Sequence, residues 1–152
     1  MSVHLVARNT KECRYTCNPP GTKGGSDAGG AEKRERAAKI VSDWAKAKTK
    51  KYPVVVVGDM NSSSVIASND TAIKIRGRLP YCIFTQKRPD GQPLLRLVSD
   101  IVQDRKGSCP SKDFGTIDHI YVSKNLLVDR TGTVSAEKIS DHAIKYAMLY
   151  QK

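Results

Sequence analysis

Four consecutive valines at residues 54–57, preceded by Pro53 and followed by Gly58, constrain the fold more than any other feature of the sequence. An uninterrupted β-branched run predicts a strand that is buried on both faces of a sheet. Asp59 and Asn61 come directly after it, just beyond the strand's carboxyl end. Open α/β sheets commonly build their sites at this edge. The run therefore predicts a central strand that delivers polar side chains to a site.

The segment at residues 31–49 has the periodicity of a helix with one apolar face. The apolar positions recur at three-and-four spacing, while most lysines and arginines fall between them. We expect one face of this helix to pack on the sheet and the other to be basic. The predicted inner face comprises Ala37, Ile40, Val41, Trp44 and either Ala47 or Lys48.

Alternating or continuous apolar residues predict several further strands. Strands are expected at residues 2–8, 116–122, 125–134 and 143–150, with an edge strand at 80–86. Residues 69–75 predict a short helix, and 87–114 an irregular insertion around one short element near 94–102. With 152 residues and no internal repeat, the chain is expected to form a single domain.

The chain is strongly basic, with 26 Lys and Arg against 15 Asp and Glu and a formal net charge of +11. Such an excess attracts polyanions and speeds their capture. Nucleic acid or an anionic lipid surface are the partners that it favours. A solvated basic surface that serves only solubility explains the charge equally well.

The sequence has no apolar run of the ~18 residues that span a bilayer, and no signal peptide follows Met1. Its four cysteines lack the paired CxxC spacing of a zinc site. Nearness in sequence favours two disulfides, Cys13 to Cys17 and Cys82 to Cys109, and four buried thiols are the alternative. Disulfides would indicate an oxidising compartment, so the cysteines and the basic charge together slightly favour export, with the sorting signal expected outside this sequence.

The three histidines, His4, His119 and His142, lie in or beside predicted strands, and the last two directly follow an aspartate. A packed histidine is the commoner reason for such a pair. The presence of Asp59 and Asn61 at a strand end favours a catalytic role for these histidines more strongly. Hydrolysis of a phosphodiester needs a base for water, donors or cations for the phosphate oxygens, and help for the leaving oxygen. These residue types supply all three.

Five segments in order resemble the motifs of the endonuclease/exonuclease/phosphatase family. They are residues 3–6, a helix centred on Arg36, and residues 54–61, 115–123 and 140–142. The resemblance implies a DNase I-like α/β fold, a β-sandwich flanked by helices. It runs from residue 2 to about 150 but corresponds only to the second half of the family's domain, so the chain is expected to form a partial domain.

The resemblance also implies catalytic roles. His142 is similar to the general base that takes a proton from the attacking water, and Asp118 to the carboxylate that orients its imidazole. Asp59 and Asp141 correspond to residues beside a divalent cation, Mg²⁺ or Mn²⁺, with Asp59 also positioning water.

Two further residues resemble the family's phosphate-binding groups. Asn61 corresponds to an amide that donates a hydrogen bond to a non-bridging oxygen, and His4 to the histidine that contacts the phosphate or assists the leaving group. Arg36 is expected to be structural in preference to phosphate-facing. His119 falls where the family requires no histidine, so we interpret it as a packing residue.

The chain departs from the family pattern at several positions. Ser2 stands where an asparagine is usual, Met60 replaces a phenylalanine, and Ala143-Ile144 lacks the proline that often follows the last motif. The family's first half, which carries an asparagine and the glutamate that most directly ligates the metal, has no counterpart here. We therefore expect an incomplete metal site and an exposed apolar face. A gene fragment, a late start codon, a processed product or a partner chain would each explain the difference.

The leading functional hypothesis is metal-dependent hydrolysis of phosphodiesters, with DNA or RNA favoured by the positive charge. A sphingomyelinase-like or phosphatase-like specificity would use the same motifs. The second class of hypothesis is a non-catalytic remnant that binds nucleic acid or a partner chain, and the third is an unrelated basic α/β domain. Loss of hydrolysis on metal removal would separate the first class from the other two.

Overall fold

The computed structural model describes residues 1–5, 28–61, 80–98, 118–134, 136, 142 and 144–152. Within these residues the chain forms six strands and two helices, and the last four elements are all strands. In chain order they are β1 (Ser2–His4), α1 (Ala28–Lys48), β2 (Val55–Asp59), α2 (Pro80–Phe84), β3 (Arg96–Leu97), β4 (Asp118–Val122), β5 (Leu126–Val134) and β6 (Ile144–Gln151).

Four strands form one mixed sheet in the order β1-β2-β4-β3, and β5 and β6 form a separate antiparallel pair. β2 pairs in parallel with β1 and antiparallel with β4, which in turn pairs antiparallel with β3. The last three valines of the run thus lie in β2, an inner strand of the sheet between β1 and β4. The mixed α/β architecture agrees with the expected fold class.

Only one face of β2 is fully buried. Val54 and Val56 are 3% and 0% exposed and belong to the main core, whereas Val57 on the other face is 38% exposed. The prediction of a strand buried on both faces was thus wrong for the second face. Helix α1 and α2 lie over the first face, while the β5–β6 pair covers the second only around Val55.

Helix α1 packs on the sheet through small residues. Ala38, Val41 and Ala45 are at most 6% exposed, and Ala37 and Trp44 pack beside them. Ile40, which was predicted to face inward, is 71% exposed. The buried stripe is therefore centred one position from the predicted one. Lys46 and Lys48 in the last turn lie where the helix dipole favours positive charge.

The edge strand predicted at residues 80–86 was wrong, because this segment contains α2. Pro80 occupies the first helical position, where its missing N–H costs nothing. Ile83 and Phe84 are buried, and the Phe84 ring meets Tyr121 edge-on at 5.0 Å between centroids. Apolar residues in a single buried turn cannot be distinguished from a short strand by periodicity.

Several other expectations meet the described residues only in part. The short element expected near residues 94–102 is β3, with two residues, and the described segment ends at 98. The helix expected at 69–75 lies outside the described residues. Cys82 is half-buried on α2, and the other three cysteines lie outside, so the disulfide pairing stays a prediction. Neither described helix is long and apolar enough to cross a membrane.

The β5–β6 pair confirms both predicted strands and has one covered and one exposed face. Val128, Ala147 and Leu149 pack with Ile120 and Val122 of β4 in a second, smaller cluster. Strand alternation places four apolar side chains of β6 on the opposite face. All four are 38–55% exposed: Ile144, Tyr146, Met148 and Tyr150. This is the exposed apolar face that the sequence led us to expect.

Gly58 permits the close pairing of β1 with β2. Its φ is +143°, and a Cβ placed there would lie 1.8 Å from the carbonyl oxygen of Val3. That oxygen belongs to the backbone of the paired strand and cannot rotate away. Any side chain at this position would therefore separate β1 from β2.

We expect Gly58→Ala to lower the free energy of unfolding by about 3 kcal/mol or more, since the overlap with β1 adds to an unfavourable φ. Chemical denaturation followed by circular dichroism would measure the change. Gly91→Ala is the matched control, because Gly91 also has a positive φ of +74° but has nothing within 4 Å of the added carbon. It should cost only about 1 kcal/mol; equal losses in the two variants would contradict this account.

Candidate active site

Strand register places three polar residues in one row across the sheet. His4 on β1 is paired with Asp59 on β2, and Asp59 is paired with Asp118 on β4. Directly paired residues project to the same side of a sheet. The row lies at the carboxyl end of β2, which is the edge predicted from the valine run.

His142, shortly before β6, completes the row from outside the four-stranded sheet. Its Nδ1 lies 2.7 Å from Oδ2 of Asp118, and the two side chains are 28% and 25% exposed. A proton on Nδ1 would be donated to the carboxylate, which leaves Nε2 with the lone pair. The structure thus brings together the histidine and the aspartate that the sequence paired by resemblance.

Asp59 is the most enclosed carboxylate of the row, with a side chain that is 17% exposed. Burial raises the pKa of its carboxyl group, and the nearby Asp118 adds to the effect. The backbone N–H of Asn61 and the imidazoles of His142 and His4 partly offset this shift in the pKa. His4 is 74% exposed and places Nε2 3.7 Å from Oδ2 of Asp59. Among the described residues, this buried carboxylate therefore has no close, permanent counter-charge.

Asn61 ties the strand ends together. Its backbone N–H donates to Oδ1 of Asp59 at 2.6 Å, and its side-chain amide donates to the carbonyl of Leu5 at 2.9 Å. The N–H of Leu5 in turn donates to the carbonyl of Asp59 at 2.9 Å. Asn61 has a φ of +46°, a conformation that asparagine tolerates better than most residues. The side-chain amide thus holds the residue that follows β1, and its hydrogen bond to phosphate stays a prediction.

Asp59, Asp118 and His142 can each offer one ligand atom to a cation, and these atoms lie within 4.8 Å of one another. The sequence had assigned Asp118 only to His142, so its place in this cluster was missed. The pairing of residues 59 and 118 across two strands was the missing information. Asp141, predicted to lie beside the metal, is outside the described residues.

Two other residues lie away from the row. His119 is 2% exposed and meets the Tyr121 ring edge-on at 5.8 Å, on the core side of β4, in keeping with its interpretation as a packing residue. Arg36 is 74% exposed on α1 and forms an ion pair with Glu32 at 2.5 Å. Neither the core nor the row receives the Arg36 guanidinium.

An α/β sheet with a carboxylate and imidazole row at a strand end is a suitable frame for hydrolytic chemistry. The sequence matches the Endonuclease/Exonuclease/phosphatase family over residues 4–142, which include every residue of the row. The chain therefore belongs to the endonuclease/exonuclease/phosphatase family. Hydrolysis at phosphoester bonds is the general activity of that family.

Two solved structures are similar to this chain. An endonuclease/exonuclease/phosphatase from Bacteroides vulgatus is 21% identical, with a TM-score of 0.54 over 80% of this chain and 45% of that one. A family protein from Bacteroides thetaiotaomicron is 16% identical, with a TM-score of 0.33 over 78% of this chain and 40% of that one. The chain thus spans less than half the length of either. No curated protein matches it.

The raised pKa of Asp59 predicts that this site reduces stability at neutral pH. A carboxyl whose folded pKa exceeds its ordinary value of 3.8 binds a proton more tightly when folded. Stability then falls as the pH rises above that value. We expect Asp59→Asn, which keeps an oxygen for the Asn61 N–H, to raise the melting temperature at pH 7.

The gain should vanish near pH 3, where the Asp59 carboxyl is protonated in both the folded and the unfolded chain. Thermal unfolding followed by circular dichroism at the two pH values measures it. Asp90→Asn is the control, because Asp90 is exposed and hydrogen bonds from Gln92 and Lys124 lower its pKa. A loss of stability at pH 7 in Asp59→Asn would contradict the predicted cost of burial.

Proposed function

We propose that this chain is a divalent-metal-dependent phosphodiesterase that acts on DNA or RNA, with His142 as the general base. The observation that carries the proposal is the 2.7 Å contact of His142 with Asp118, in line with Asp59. A carboxylate on Nδ1 fixes the imidazole tautomer and stabilises the imidazolium that forms when Nε2 takes a proton from water.

The carboxylates of Asp59 and Asp141 are ligands of the kind that hard divalent cations prefer. Mg²⁺ and Mn²⁺ prefer carboxylate oxygens, and Mg²⁺ usually keeps several waters when proteins bind it. Asp59 would hold the ion together with Asp141, as the family resemblance implies, and the burial that raises the pKa of Asp59 makes a cation there favourable. When bound, the metal supplies positive charge to the phosphate and its leaving oxygen.

His4 and Asn61 would hold the substrate. His4 is exposed at the rim of the row, so its imidazole can donate to a phosphate oxygen while Asp59 remains beside it. Asn61 fixes the carboxyl end of β1 through Leu5, and its side-chain amide would donate to the phosphate. These two residues would therefore position the scissile phosphate between His142 and the carboxylates.

Nucleic acid is the favoured substrate because the net charge of +11 rewards a polyanion more than a small ester. The lysines and arginines differ, however, in whether they already have partners within the chain. Lys39 and Lys46 on α1 form ion pairs with Glu35 and Asp43, and Arg96 donates to the carbonyl of Leu126. The exposed group at residues 48–51, which contains Lys48, Lys50 and Lys51, is better suited to backbone phosphates.

A complementary polypeptide segment is part of this proposal. The apolar face of β6, formed by Ile144, Tyr146, Met148 and Tyr150, is large for a surface that meets only water. Because similar structures are more than twice as long as the matched region, another segment, within a longer chain or from a partner, would cover this face.

We expect Mg²⁺- or Mn²⁺-dependent cleavage of plasmid DNA, RNA or a chromogenic phosphodiester that EDTA abolishes. His142→Ala should reduce the rate by about 10²–10⁴-fold, the usual contribution of a general base. Initial rates at saturating metal measure the effect. Asp90→Asn, at an exposed carboxylate outside the row, should retain the rate.

The non-catalytic reading predicts a different result. Nucleic acid would still bind in the presence of EDTA and after His142→Ala, and no substrate would be cleaved with either metal. That combination, obtained with a folded chain, would refute the hydrolase proposal.

Substrate length should determine the effect of the lysines at residues 48–51. They lie at the amino end of β2, opposite the row, so a small ester bound at the row cannot reach them. The triple variant Lys48→Ala, Lys50→Ala, Lys51→Ala should weaken duplex DNA binding and reduce the salt slope by about 1–3, at about 0.9 for each lost phosphate contact. Fluorescence anisotropy at several salt concentrations measures the slope.

Hydrolysis of the small chromogenic ester should be unchanged in the same variant. If DNA binding and its salt slope were unaffected, these lysines would have no part in the interaction with nucleic acid.

A further inference from the structure

The cluster of Asp59, Asp118 and His142 has a mixed ligand set. Two carboxylates and an imidazole each offer a ligand atom within 4.8 Å of the others, and all three side chains are partly buried. Hard cations such as Mg²⁺ prefer sites made of oxygen alone, whereas imidazole suits zinc and its neighbours in the transition series. The cluster therefore has two possible uses that depend on the ion.

We propose that Asp59, Asp118 and His142 bind a borderline transition-metal ion of the zinc class, and that this ion inhibits the enzyme by taking His142 as a ligand. The binding stands on the geometry of the three side chains. The inhibition rests on the proposed role of His142 as the general base.

The spacing is compatible with a three-ligand zinc site after the side chains adjust to the ion. Ligand atoms about 2.0–2.2 Å from a tetrahedral ion are about 3.4 Å apart. Asp118 and His142 are already in contact, and backbone pairing fixes Asp59 beside Asp118. Small side-chain rotations would thus bring all three to the ion. The partial exposure of the cluster leaves a fourth position for water, as in other zinc sites with three protein ligands.

Ligation removes the basic nitrogen. A neutral imidazole has a proton on one ring nitrogen and a lone pair on the other. Asp118 lies at Nδ1, so it can share an ion with His142 only if the ion binds Nδ1, and the proton then sits on Nε2. In that state His142 has no lone pair left to accept a proton from water. A magnesium ion on the carboxylates would leave the imidazole unligated.

The nearby His4 is a natural control for this ligand set. Its Nε2 lies 3.7 Å from Asp59, but its side chain is 74% exposed and it is not one of the three clustered residues. An ion that merely collected near any accessible imidazole would respond to loss of His4 as much as to loss of His142.

The test is titration of the full chain with Co²⁺, a spectroscopic substitute for zinc, and with Zn²⁺ by calorimetry. Thiols are alkylated first so that cysteines cannot bind the metal. We expect one ion per chain, visible absorption typical of four-coordinate cobalt, and Zn²⁺-dependent shifts of the His142 ring nitrogens in proton–nitrogen spectra. Millimolar Mg²⁺ should leave those resonances in place.

His142→Ala and the isosteric Asp118→Asn should each weaken Co²⁺ binding at least about tenfold, while His4→Gln and Asp90→Asn should not. Circular dichroism verifies that each variant is folded. Undetectable binding, binding unchanged in His142→Ala, or an equal loss in His4→Gln would overturn the proposed site.

The two proposals fail separately. Cobalt bound at His142 in a chain that cleaves no ester with any metal would keep the site and refute the hydrolase. Magnesium-dependent cleavage that Zn²⁺ does not inhibit, despite proven binding, would refute the inhibition alone.

Discussion

The pairing of β2 with β1 on one side and β4 on the other is the constraint on which the rest of the structure depends. It aligns His4, Asp59 and Asp118 in a single row, and the absence of a side chain at Gly58 lets β1 approach closely enough to join it. A shift of one residue in the pairing with β1 or β4 would move His4 or Asp118 to the face of the sheet opposite Asp59. Backbone pairing therefore places three residues of the site, and the side-chain contact with Asp118 brings in the fourth, His142.

The row carries a local cost that is typical of functional sites. Asp59 is partly buried beside a second carboxylate, and its pKa is raised, so the folded chain tolerates a charge that it does not fully compensate. A divalent cation would offset the electrostatic cost of burying two neighbouring carboxylates. A substrate phosphate would then meet positive charge. The negative charge of the paired carboxylates is thus unfavourable in the chain alone and favourable in the complex with a cation.

The sequence could predict those features of the fold and site that depend on neighbouring residues and on the order of motifs. The valine run predicted a central strand, and motif order predicted that His142 and Asp118 would meet, as they do at 2.7 Å. Sequence could not predict that the second face of β2 would be half covered, that Ile40 would face solvent, or that residues 80–84 would be helical. Each of these depends on which element packs opposite. The same holds for Asp118 as a neighbour of Asp59, since their contact joins residues that are far apart in the chain.

The central claim is that one cation and phosphate site is formed by His4, Asp59, Asp118 and His142. Its most direct test is paramagnetic broadening of backbone amide resonances by Mn²⁺. The account predicts that substoichiometric Mn²⁺ broadens the amides of residues 4–5, 58–61, 118–119 and 142 together and leaves α1 and β5 sharp. Broadening centred on exposed acids such as Asp43 or Asp90, with the row unaffected, would contradict it.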